Sequence, residues 1–205
     1  MAKLIKRQVY YFEEPGEENT AQVIEAVSLR MESPAPSKVV VASTSGETAF
    51  ALARKLKDGV EIVCVSEAPY RRERGSEWPC LKPRLKVKLE KLGVSIIEKA
   101  PEVFFNSVME FAPWAQAFPE RYVRETLYAF GQGLKVCVEV ALMAAQCGYV
   151  EPFEDVIAIG GMGSGADTAI ICKATYPQCL FDKDTAKRLE IKEIIAMPVS
   201  KRWWD

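Results

Sequence analysis

Three short segments of the chain combine glycine with hydroxyl, amide or ammonium groups, and each suits the holding of an anion. The first is Ser43-Thr44-Ser45-Gly46-Glu47-Thr48, between a valine-rich run and a helical pattern. In a parallel sheet such a loop lies at the carboxyl edge of the strands, where ligands bind. Unpaired N–H groups of the first helical turn and the helix dipole favour negative charge there. Ser43, Thr44, Ser45 and Thr48 add hydroxyl donors, and Gly46 is expected to let the backbone approach the anion closely. The competing expectation is that Ser43 to Ser45 merely cap the helix.

The second segment runs from Gly160 to Thr168 and contains Gly161, Gly163, Ser164, Gly165 and Asp167. It matches a loose G-x-G-x-x-A, but the residues after Ala166 read as a strand and not as the crossover helix of a dinucleotide fold. The Walker pattern fails because Ala166-Asp167 stands where Lys-Ser/Thr is required. A glycine-rich hairpin closing over a ligand is the better expectation, against a purely structural turn.

The third is Phe130-Gly131-Gln132-Gly133-Leu134-Lys135, which opens a long apolar helix. Glycines at a helix start expose N–H groups, and Lys135 can meet a phosphate as a point charge. Alternatively Lys135 and Glu139, four residues apart, pair with each other so that both tolerate burial. Arg71, Arg72 and Arg74 form a further basic cluster, expected as a solvated loop unless it shares the carboxyl edge.

The chain has no histidine. That removes Ser-His-Asp and Cys-His nucleophilic systems, His-ligated metals and the usual general base near neutral pH. Its six cysteines include no Cys-x-x-Cys pair, so buried free thiols are expected and a metal site is not. Catalysis is left open: no catalytic centre is legible, and any chemistry must rest on Lys, Glu, Asp, Tyr, Cys or a cofactor.

The elements that must position these loops alternate between helical and extended patterns, which predicts an α/β fold with a mostly parallel sheet. Helices are predicted over 20–31, 43–57, 81–92, 119–129 and 134–147, the last buried on nearly all sides. Strands are predicted over 38–43, 60–66, 94–98, 156–161, 168–174 and 190–199. No linker divides the 205 residues, so one domain is expected over 1–205. The net charge of -1 gives no reason to expect nucleic acid or an anionic membrane as partner. No secretory h-region and no long apolar stretch is evident, which predicts a cytoplasmic protein. Trp203-Trp204 suggests docking on the chain itself or in a homo-oligomer.

Taken together, VVVASTSGETA, FGQGLKVCVEVALMAAQCG and IGGMGSGADTA resemble the stand-alone archaeal and bacterial relatives of the pyruvate kinase C-terminal domain. The resemblance extends to YYFEEPGEENT near the start and EIKEIIAMP near the end. It implies a three-layer α/β/α sandwich without the catalytic barrel, hence no pyruvate kinase activity. By the same resemblance a sugar phosphate or other phosphorylated small molecule is gripped by Ser43, Thr44, Ser45, Gly46 and Thr48. Gly161, Gly163, Ser164, Gly165, Asp167 and Thr168 would close over it. Flavin mononucleotide (FMN) is the ligand the resemblance implies first. The alternatives are a flavin-dependent or other small-molecule enzyme, and an oligomeric scaffold whose loops are only structural. Two segments depart from the family pattern, which usually carries histidines where this chain reads SEAPYRRERGSEW and EKAPEVFFNSVMEF.

Overall fold

The computed structural model describes residues 4–104, 110–114 and 118–203. Val39, Val40 and Val41 are fully buried, and they sit in the strand Lys38–Ala42, here β2. A β-branched run buried on both faces marks the interior of a parallel sheet covered on each side. Seven strands form that sheet: β1 (Tyr10–Phe12), β2, β3 (Glu61–Val65), β4 (Ser95–Ile97), β5 (Asp155–Gly160), β6 (Thr168–Lys173) and β7 (Glu190–Pro198). Their order is β1-β7-β6-β5-β2-β3-β4. Every neighbouring pair is parallel except the two that involve β6, which runs against both β5 and β7.

Five α-helices are present among the described residues: α1 (Thr20–Arg30), α2 (Glu47–Lys55), α3 (Pro83–Lys91), α4 (Pro119–Tyr128) and α5 (Gln132–Gln146). Because side chains alternate along a strand, the sheet feeds two separate cores. Val39, Val41, Ile62 and Ile157 pack with Val23 of α1, Leu52 of α2 and Leu89 of α3. Val40, Val63, Ala158 and Ile170 pack with Leu134, Cys137 and Ala141 of α5, with Val123 and Leu127 of α4 beside them. The fold is therefore an α/β/α sandwich with a mostly parallel sheet.

The predicted elements fall within a few residues of those found; only β1, three residues long with Tyr11 exposed, had no sequence signal. Its place beside β7 completes the sheet edge. The residues after Ala166 do form a strand, antiparallel to β5, so the glycine-rich segment is a hairpin.

Two features of this topology matter for a ligand. Beyond β2 the chain moves to β3 on one side, whereas β5, on the other side of β2, continues away to β6. Diverging connections of this kind open a crevice at the carboxyl ends of the two central strands. In addition, α5 begins at this edge, since the Gly133 carbonyl abuts Gly160 at the end of β5. Among the described residues no helix is long and apolar enough to cross a membrane.

Candidate functional site

At the carboxyl edge lies a cleft of about 640 Å³, a size typical of small-molecule sites. The loop after β2 supplies Ser43, Thr44, Ser45 and Thr48; the hairpin supplies Gly161, Gly163, Ser164 and Gly165. Along its third side α5 presents one stripe, Gln132, Lys135, Val136, Glu139, Val140 and Met143, at the spacing of a single helical face. The segment after β3 adds Ser66, Glu67, Ala68, Arg71 and Arg74, and Glu102 and Tyr128 complete the wall. Residues from all three sequence segments thus converge on one cavity.

Within the first loop the hydroxyls divide into different tasks. Ser43 is buried, and its Oγ accepts the Ala49 N–H of the first turn of α2 at 3.2 Å. That is a capping bond, made from three residues before the N-cap position, Gly46. Thr44 Oγ1 donates to Glu67 Oε1 at 3.1 Å, and Arg71 Nη2 donates to the same oxygen at 3.1 Å. Ser45 Oγ lies 3.5 Å from the Glu47 N–H, at the limit of a hydrogen bond. Among the described residues the Thr48 N–H and hydroxyl make no hydrogen bond to protein, so they are the groups best placed to serve a ligand.

Gly46 does not line the cleft. Its φ is +90°, and a Cβ there would lie 2.6 Å from Leu81 Cδ1 and 3.3 Å from Leu89 Cδ1. Left-handed backbone and packing against Leu81 and α3 therefore require a glycine here by themselves.

The hairpin is organised from behind. Asp167 and Thr168 are buried and do not line the cleft; Thr168 Oγ1 donates to Asp167 Oδ1 at 2.7 Å, and the Met162 N–H donates to Asp167 Oδ2 at 3.3 Å. Burial raises the Asp167 pKa, while these hydrogen bonds, a backbone bond from Gly16 and the nearby Lys201 pull it down. Thr20 Oγ1 at the start of α1 accepts the Ala166 N–H at 2.9 Å. Gly133 lies outside the cleft, where any Cβ would run into Asp167 and Thr168. Gly131, with φ +105°, is the turn that starts α5. Asp167, Thr168, Gly131 and Gly133 therefore brace the site without lining it.

No family model matches the chain.

Charge in the cleft is balanced, with Arg71, Arg74 and Lys135 set against Glu67, Glu102 and Glu139. The expected pairing of Lys135 with Glu139 is present, both side chains being buried. Arg71 and Arg74 join the site, whereas Arg72 stacks over Trp78 at 5.2 Å. Glu67, Glu102 and Tyr128 escaped the sequence reading; only Glu67, two residues beyond a strand end, carried a local signal. Cys64, Cys137 and Cys172 are buried free thiols, and burial pushes Cys64 and Cys172 up to about 12. The remaining three cysteines are half-buried. Trp203 is exposed, and Trp204 lies outside the described residues.

Proposed function

We propose that the cleft binds a phosphorylated small molecule, with FMN the leading candidate, and that the chain is a stand-alone relative of the pyruvate kinase C-terminal domain without kinase activity. The observation that carries this is the convergence of the loop after β2, the β5–β6 hairpin and the α5 stripe on one cavity. The phosphate would sit at the start of α2, on the Thr48 N–H and hydroxyl and the Ser45 hydroxyl, with the helix dipole behind them.

The rest of the lining suits the rest of FMN. Val65, Ala68, Val136, Val140 and Met143 offer an apolar bed for a planar ring, and Tyr128 an edge or face. Glu67, Glu102 and Glu139 offer carboxylate oxygens to the hydroxyls of a ribityl chain. The balanced charge favours a monophosphate over a polyphosphate.

Calorimetric titration with FMN and riboflavin tests the proposal. FMN should bind at least about tenfold more tightly, because hydrogen bonds to a charged group contribute roughly 1.5–3 kcal/mol each. Equal affinity for the two would remove the phosphate from the proposal. Failure of FMN together with simple sugar phosphates to bind would end it.

A further inference from the structure

The cleft holds a second feature on its α5 stripe, apart from the phosphate site proposed at the start of α2. Lys135 and Glu139 stand one turn apart on the cleft-facing side of α5, and their side chains are only 2% and 9% exposed. Glu139 Oε1 also accepts the Phe104 N–H at 3.1 Å, and the Lys135 ammonium lies 5.8 Å from the Phe104 ring centre. A buried ion pair contributes little to stability that apolar side chains of the same volume would not. Leu134, Cys137, Val138 and Ala141 fill the core side of the same helix. The pair is thus confined to the stripe that meets the cavity.

We propose that Lys135 is an amine nucleophile that captures a phosphorylated aldehyde or ketone as a Schiff base, with Glu139 as its proton partner. This rests on the phosphate-binding reading of the cleft, because the phosphate end is what holds the carbonyl near the amine. It adds a reaction and a second ligand class to that reading.

The step balances without oxidant or reductant. Glu139 takes a proton from the Lys135 ammonium, and the free amine attacks the carbonyl carbon as the C=O pair moves to oxygen. Glu139 returns the proton to that oxygen and removes one from nitrogen, giving a carbinolamine. A second protonation expels the oxygen as water, and the nitrogen lone pair closes the C=N bond. A protonated imine now faces the Glu139 carboxylate, so the pair carries the same charges before and after.

The surroundings favour this chemistry. Desolvation is the dominant influence on Lys135 and lowers its pKa, which increases the fraction of free amine. Arg124 of α4 acts in the same direction, whereas Glu139 and Glu102 oppose it. Val136, Val140 and Met143 border the pair along the stripe and limit water around a developing imine.

Pyridoxal 5′-phosphate is a suitable probe, being a phosphorylated aldehyde that reacts with accessible amines. The folded protein would be treated with it or with pyridoxal, reduced with borohydride, digested and mapped by mass spectrometry. FMN binding would be titrated on the same preparation. The expected result is about one label per chain at Lys135, roughly tenfold less with pyridoxal, and protection by FMN. Lys135→Arg keeps the charge beside Glu139 and should lose the label. Normal FMN binding with no label at Lys135, or with label only on exposed lysines such as Lys57 and Lys91, would overturn the nucleophile and leave the binding site standing. Equal labelling of Lys135 by pyridoxal and its phosphate would overturn the phosphorylated substrate class. The wild-type arms decide the matter even if the variant fails to fold.

Discussion

The loop of residues 43–48 and the hairpin of residues 161–167 look alike in sequence, each mixing glycine with hydroxyl residues, yet they are built to different ends. The first joins a parallel strand to a helix, so its backbone ends in the open N–H groups of a first turn, only part of which are met by Ser43. The second joins two antiparallel strands, so the chain does not run on from it into a helix. Several of its polar groups are satisfied within the protein: Asp167 accepts from Met162, Thr20 accepts from Ala166, and the Asp167 N–H donates to Gly160 O at 3.0 Å. Glycine content does not separate them; the element that follows, a helix after the first and a strand after the second, does. On the proposed reading the first loop holds the anion, and the second is a braced wall that faces it.

The largest test of that difference is Asp167→Ala. It orphans the buried Thr168 hydroxyl and the Met162 N–H, and it should cost about 3 kcal/mol in denaturant unfolding. Gly46→Val should cost about 2 kcal/mol, because a β-branched residue is forced into left-handed backbone against Leu81. FMN affinity of the folded fraction should change little, since the new side chain points towards α3. A matched pair comes next. Ser43→Ala should lose about 1 kcal/mol of stability as a cap is removed, with affinity nearly intact. Thr48→Ala should do the reverse, leaving stability within about 0.5 kcal/mol and weakening FMN about tenfold. If both variants lose only stability, the first loop is a cap and no more.

The smallest effect is in pH. Because the folded state raises the Asp167 pKa, it binds more protons than the unfolded chain between the ordinary carboxyl value and the raised one. Stability from this group is present below that window and declines as pH rises through it. Comparing acid-range unfolding of wild type and Asp167→Asn should show that decline weakened in the variant.

Much of the fold was legible because buried parallel strands write themselves as β-branched runs, as in Val39 to Val41, and because α5 is apolar nearly all round. Strand β1 was not legible: three residues with one exposed side chain set no period. The loops were found, but the roles within them were not fully readable. Gly46 and Gly133 read in the sequence as openings for a ligand, and their close packing against Leu81 and against Asp167 is revealed only by the packed structure. Glu102 and Tyr128 reach the cleft from segments with no motif of their own. The α5 stripe from Gln132 to Met143 had a period of 3.6 residues that could have been followed. It spans roughly 16 Å at 1.5 Å per residue.

Amide chemical shifts recorded during titration with inorganic phosphate and then FMN test the central claim most directly. Phosphate should move the Ser45 to Thr48 amides and little else. FMN should move these, the Gly161 to Gly165 amides and the cleft-lining stripe of α5 together, with one common affinity. Phosphate shifts centred on the hairpin, or FMN shifts that leave Ser45 to Thr48 unmoved, would contradict it.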